Sequence, residues 1–157
     1  MLTIDELTVL FIADFEAGKL YWRASPCNPI PSGSEAGHIS ATGYVRVKLR
    51  GKRYMVHTLL WAMHTGAWPD QLLDHVNGVG IDNRIENLRP ATVSQNMANR
   101  RRGRGKYPRG VRLHRNGYRW YAVCNREHLG MFDTMEEASA AYLSAAQAVY
   151  GDFARGD

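Results

Sequence analysis

Between Leu72 and Arg100 the chain reads LLDHVNGVGIDNRIENLRPATVSQNMANR, and these 29 residues hold five asparagines, one Asp-His pair and a cationic end. An imidazole, with an ordinary pKa of about 6.5, can take a proton from water at neutral pH. A carboxylate and an amide oxygen are hard ligands, suited to Mg2+ or Mn2+ with water and phosphate oxygens completing the octahedron. Asp74, His75, Asn87 and Asn96 therefore have the composition of a site for metal-assisted phosphodiester hydrolysis. The competing use of asparagine is turn chemistry, which accounts for NGVG, for Asp82-Asn83 as a second turn and for Asn87 at a strand end. It leaves out Asp74-His75, which directly follows the apolar pair Leu72-Leu73. It also leaves out Asn96, because Thr92-Val-Ser-Gln95 is a capping box that puts Asn96 in the first turn of a helix, where asparagine is a poor interior residue. Asn99 repeats the choice one turn later on the same face, beside Arg100.

Three elements must bring these groups together. A strand delivers Asp74 and His75 to its end, a turn and return strand carry Asn87 back alongside, and a helix presents Asn96 near an N-terminus that favours phosphate. Adjacent strand residues face opposite ways, so Asp74 and His75 converge only through local distortion. Upstream, Thr3-Ile-Asp-Glu6 is a capping box, and Ile4, Leu7, Leu10 and Phe11 predict a helix over residues 3–14. EAGKLYWR turns into a strand, ASPCNPIPSGSEAG is loop, and HISATGYVRVKLRGKRYMV is a β-hairpin with RGKR at its turn. HTLLWAMHTG is a helix stopped by Gly66, with His57 and His64 on one face in a core or buttressing role. Downstream, GVRLH, YRWYAVC and EHLGMF are three short strands. Thr134-Met-Glu-Glu137 opens a helix whose apolar face is Ala138, Ala141, Tyr142, Ala145 and Val149.

The charge is placed unevenly. From Asn87 to Arg126 there is no Asp or Glu, while 11 of the 20 Lys and Arg fall there, ten of them arginine. A contiguous field of one sign points to a polyanion, and arginine is the residue that forks onto phosphate and guanine. Arg84 and Arg89 are phosphate candidates, and Asn99 and Arg100 share the helix face beside the site. RRRGRGKYPRG, with glycines and a proline among the cations, reads as a linker over residues 101–107 that offers Arg101, Arg102 and Arg104 to the backbone of such a polyanion. In the second strand beyond it, Arg119 and Tyr121 face opposite to Trp120. With Arg109, Arg112 and Arg115 they give a basic sheet face able to enter a major groove. The alternative for Trp120 is packing under the helix.

Hydrophobic residues make up 45% of the chain, so a core is available, and no apolar run nears the roughly 18 residues of a membrane span. The acidic N-terminus lacks the features of a signal peptide, so a cytoplasmic protein is the expectation. Cys27 and Cys124 are far apart with no C-x-x-C, which excludes a zinc ribbon or knuckle and any structural zinc of that kind; both are expected to be buried.

The run DHVNG…DNRIENLRPATVSQN, with YMVHTLLWAMHTGAWPD before it, resembles the HNH nucleases, specifically the phage and intron homing-endonuclease branch with a ββα-metal fold. The resemblance implies His75 as general base, Asp74 as metal ligand, Asn87 as the holder of the His75 segment and ring, and Asn96 as second protein ligand. The site is then H-N-N, since the third letter is Asn. Farther on, RGVRLHRNGYRWYAVC…HLGMFDTMEEASAAYLSAAQAVYGDFA resembles the plant ethylene-response-factor type of DNA-binding domain. Carried over, Arg109, Arg112, Arg119 and Trp120 read DNA. Such domains occur fused behind HNH cores in mobile-element nucleases.

The expected architecture is α+β. A ββα-metal nuclease domain over residues 1–100 and a basic linker over 101–107 precede a small three-stranded antiparallel sheet plus one helix over 108–157. The expected function is hydrolysis of double-stranded DNA with one divalent cation, Mg2+ or Mn2+, by a monomer or homodimer with no small-molecule cofactor. A catalytically inactive DNA-binding regulator and an enzyme acting on structured RNA remain as alternatives.

Overall fold

The computed structural model describes residues 2–27, 29–100 and 105–156. Arg101, Arg102 and Arg104, with the first part of the expected linker, lie outside the described residues. The chain divides into two compact units, Met1–Ala91 and Thr92–Asp157. Both mix helices with small antiparallel sheets, so the α+β class holds.

In the first unit Thr3 caps α1 (Ile4–Leu10) with the expected box. The helix stops at Leu10, four residues short of the expectation, because Phe11–Asp14 forms β1 and pairs with β2 (Lys19–Trp22). The turn between them is set by Asp14 Oδ1, which accepts from Ala17 N at 2.9 Å. Pairing buries Phe11 against Trp22, with ring centroids 4.8 Å apart. A helical spacing that ends in Phe11 looks the same whether the next residues continue the helix or find a strand partner.

The next sheet has the order β3 (His38–Ile39), β4 (Val45–Leu49), β5 (Lys52–Met55). Arg50 and Gly51, both at positive φ, form the tight hairpin turn that RGKR implied. Val47 and Leu49 on one face of β4 join the core, and so does Tyr54 opposite Val47. α2 (Val56–Thr65) follows at once and ends at Gly66 in the left-handed conformation. It buries Val56, Leu59, Leu60 and Ala62 against Leu7, Phe11 and Leu20. A two-stranded ribbon, β6 (Leu72–His75) with β7 (Leu88–Ala91), completes the unit, joined by a loop that ends in a 3-10 turn at Ile85–Asn87.

The second unit opens with α3 (Val93–Asn99), capped by the Thr92/Gln95 box. The carbonyls at its C-terminal end accept from Arg109. A sheet of order β10 (Glu127–Phe132), β9 (Trp120–Cys124), β8 (Val111–Leu113) then packs against α4 (Met135–Tyr150), around Val111, Ala122, Cys124, Ala138, Tyr142 and Ala146. The buried line on α4 is Ala138, Tyr142, Ala146, an i+4 row. Val149, placed on that face by the sequence, is exposed. Cys124 is buried as expected. Cys27 is exposed, because it sits in the proline-rich loop rather than in an element. Among the described residues no helix is long and apolar enough to cross a membrane.

Candidate active site

The β6–β7 register runs unbroken, with Asp74 opposite Arg89 and His75 opposite Leu88, so the distortion expected at Asp74-His75 is absent from the pairing. Asp74 and His75 are nevertheless both buried, at 5% and 4% exposure, because the two faces of this narrow ribbon are both covered. The Asp74 carboxylate accepts from Arg89 Nε at 3.1 Å across the ribbon. Arg89 is thus the ion-pair partner of the candidate metal ligand.

The His75 ring lies 3.0 Å, through Nε2, from Oδ1 of Asn83, which is 1% exposed. An amide oxygen only accepts, so the ring meets it as an Nε2–H donor. Two more rings complete the surroundings. His57, from the first turn of α2, meets His75 edge-on at 5.0 Å and 89°, and Tyr44, just before β4, is 5.7 Å away. Tyr44 and His57 also touch, at 5.9 Å. Burial, helped by the neighbouring His75 charge, holds His57 down at about 4, so it is neutral at neutral pH. Gly80 lies against Tyr44: a Cβ there would come within 2.9 Å of the ring.

The asparagine-rich loop is a single hydrogen-bonded structure. Asn87 Oδ1 accepts from Asn77 N at 3.0 Å, and its Nδ2 donates to Asp82 O at 2.7 Å and to Asn77 Oδ1 at 3.1 Å. Its carbonyl accepts from Val76 N at 2.8 Å. Asn87 thus ties down Val76 and Asn77, the residues that follow His75, while the ring itself meets Asn83. Asp82 receives both Nε and Nη2 of Arg84 and the Nδ2 of Asn77. Those hydrogen bonds, Arg84's first, hold its carboxyl at about 2. Arg84 also donates to Glu86 at 2.7 Å, so this phosphate candidate is engaged within the loop. The sequence carries no separate signal for Asn83, because turn chemistry already accounts for Asp82-Asn83.

The remaining candidates lie in the second unit. Asn96 is in the first turn of α3 and half-buried. Asn99 is 2% exposed, its carbonyl accepting from Arg155, so it is a core residue rather than a surface contact. Arg100 is exposed. Arg109 donates to the carbonyls of Met97, Ala98 and Arg100 and so closes the end of α3. Arg112 is exposed on β8 opposite Tyr121, which stacks on His128 at 5.8 Å. Arg119 pairs with Asp133 at 3.1 Å while staying half exposed. Trp120 packs on the core, with Tyr107 against it at 4.9 Å, the alternative noted from the sequence.

The segment that carries Asp74, His75, Asn83 and Asn87 has a known counterpart. Residues 54–98 match the family model of the HNH endonuclease. The HNH match begins in β5, takes in α2 and the whole ribbon, and ends in α3, so Asn96 also falls inside it. It supports a nuclease with DNA as substrate. No curated protein matches the chain.

HNH nucleases generally use a divalent metal, and the residues here fit one of a particular kind. Among the described residues no group of three or more His, Cys, Asp and Glu side chains is placed to hold an ion. One buried carboxylate, Asp74, supplemented by an amide oxygen, suits a hard cation that keeps much of its water and takes further ligands from substrate phosphate.

Proposed function

We propose that the protein is a metal-dependent DNA endonuclease of HNH type, of the homing or nicking kind that phages and mobile elements encode, with the C-terminal unit recognising the site. The observation that carries the reading is His75: a buried imidazole inside the HNH-matching segment, with Nε2–H directed at a buried amide oxygen. That arrangement makes Nδ1 the group that takes the proton from the attacking water. His57 and Tyr44 hold the ring's plane, and the Asn77–Asp82–Asn87 network holds the backbone after it. Arg89 fixes the orientation of the Asp74 carboxylate. A bound Mg2+ or Mn2+, with Asp74 and, on the strength of the sequence resemblance, Asn96 as protein ligands, would supply positive charge to the pentavalent state and to the leaving 3′ oxygen.

Plasmid cleavage in Mg2+, with EDTA as control, tests this. His75→Ala is expected to lower the rate by roughly 10²–10⁴ while duplex binding survives. Equal rates in both proteins would remove His75 as the base. One such site cuts one strand per binding event, so open circles are expected before linear DNA. The pairing of Asp74 with Arg89 favours one other reading, a DNA-binding regulator whose carboxylate is permanently engaged. Duplex binding with no cleavage in any divalent metal would establish that instead.

A further inference from the structure

The sheet β3-β4-β5 has one face in the core and one outside it. Val47, Leu49 and Tyr54 take the inner face. Arg46 and Lys48 take the other. By register Arg46 lies opposite both His38 and Met55, and Lys48 lies directly opposite Arg53. Four cationic or titratable side chains, His38, Arg46, Lys48 and Arg53, thus form one row, two residues along from Tyr44, whose ring touches His75.

Three observations separate this row from an ordinary solvated face. From Ala36 to Pro69 there is no Asp or Glu in 34 residues, and five Lys or Arg lie between. Among the described residues none of Arg46, Lys48 and Arg53 has a carboxylate partner, whereas Arg50 on the same hairpin pairs with Glu6 at 2.8 Å. Lys48 and Arg53 also face each other directly across the strands, a placement that weakens a sheet unless an anion lies over it. Arg46 is partly committed on this face, since its Nε is buried and its Nη2 donates to Thr42.

We propose that this face is a phosphate-binding track for the backbone of duplex DNA, leading past Tyr44 to His75. It rests on the nuclease reading for the identity of the polyanion, and it extends the cationic surface into the N-terminal unit. There the charge is too thinly spread along the sequence to stand out beside the arginines of residues 87–126. Strand residues two apart are separated by about 6.6–6.8 Å, so Arg46 and Lys48 engage separate groups rather than one.

The test is binding of the full chain to a mixed-sequence duplex in EDTA, over a range of salt. Each phosphate contact contributes about 0.9 to the slope of log K against log[salt]. Lys48→Ala and Arg53→Ala are each expected to lower that slope by about 0.9 and to weaken binding by about five- to tenfold at 0.1 M salt. Lys52→Ala removes the same charge from the same hairpin, at a position paired with the core-facing Leu49, and is expected to change neither quantity. Unchanged slopes in both row variants, or equal losses in all three, would overturn the track. The binding assay does not need cleavage. Failure of the wild-type protein to cut, with the selective slope loss still present in the row variants, would sink the nuclease reading and leave the track. A protein that cuts normally with unchanged slopes would do the reverse.

Discussion

Asn83 and His57 change the account of His75. The imidazole proposed as base is oriented by an amide from the loop and by a second imidazole from α2, and neither partner is its sequence neighbour. Asn83→Ala is expected to lower the cleavage rate by roughly 10–100-fold, the range for groups that orient a reactive imidazole, with duplex affinity unchanged. An equal loss in both would show that Asn83 supports the fold instead. His57 makes acid stability measurable. Its folded pKa of about 4 is below the ordinary 6.5, so the unfolded chain binds a proton that the folded chain refuses. This contribution is complete above about 6.5 and is lost as pH falls toward 4. It is on the order of 3 kcal/mol, and thermal unfolding between pH 7 and 4.5 should show it, with His57→Phe flattening the profile. Asp82 does not interfere. Its pKa of about 2 confines its own loss of stability to pH below about 4.

The elements around the site are held by close approaches as much as by pairing. Gly18, in the β1–β2 turn at φ +68°, lies under the Asn83–Arg84 peptide. A Cβ there would come within 2.4 Å of Arg84 N and of the Asn83 carbonyl carbon. Gly18→Ala is therefore expected to cost about 1–3 kcal/mol and to slow cleavage, because relief of the clash moves Asn83. Gly33→Ala has similar positive φ but open space around the new methyl, so it should cost backbone strain alone and leave the rate untouched. Urea unfolding and plasmid cleavage on the two variants separate the effects. The same kind of constraint operates at Gly110, whose Cβ position falls on the Tyr142 ring, and this explains the glycine after Arg109 in the RGVR start of the C-terminal sheet.

Among the described residues, cationic side chains stand on the outer faces of two separate sheets, β3-β4-β5 and β8–β10. Arg112 and Arg119 stand on the outer side of the β8–β10 sheet, while Trp120 belongs to its core. Truncation after Gly105 is expected to weaken duplex binding and to flatten its salt dependence, since it removes these arginines. It also removes the three hydrogen bonds from Arg109 to the end of α3. Circular dichroism should therefore show a loss of helix greater than α4 alone accounts for. An unchanged salt slope would mean that the C-terminal unit does not touch the backbone.

Much was legible in local patterns. The three capping boxes at Thr3, Thr92 and Thr134, the Gly66 stop, the hairpin at Arg50-Gly51 and the strand that ends in Asp74-His75 depend on residues close in sequence, and all are present. The early end of α1, the choice of Asn83 over Asn87 for the His75 ring, the use of Arg109 on α3 and the burial of Asn99 were decided by contacts distant along the chain. A side chain's hydrogen-bonding capacity is fixed by its type, but the partner that uses it is fixed only when folding removes water from both. Sequence therefore named the chemistry of the site, and tertiary structure assigned the partners.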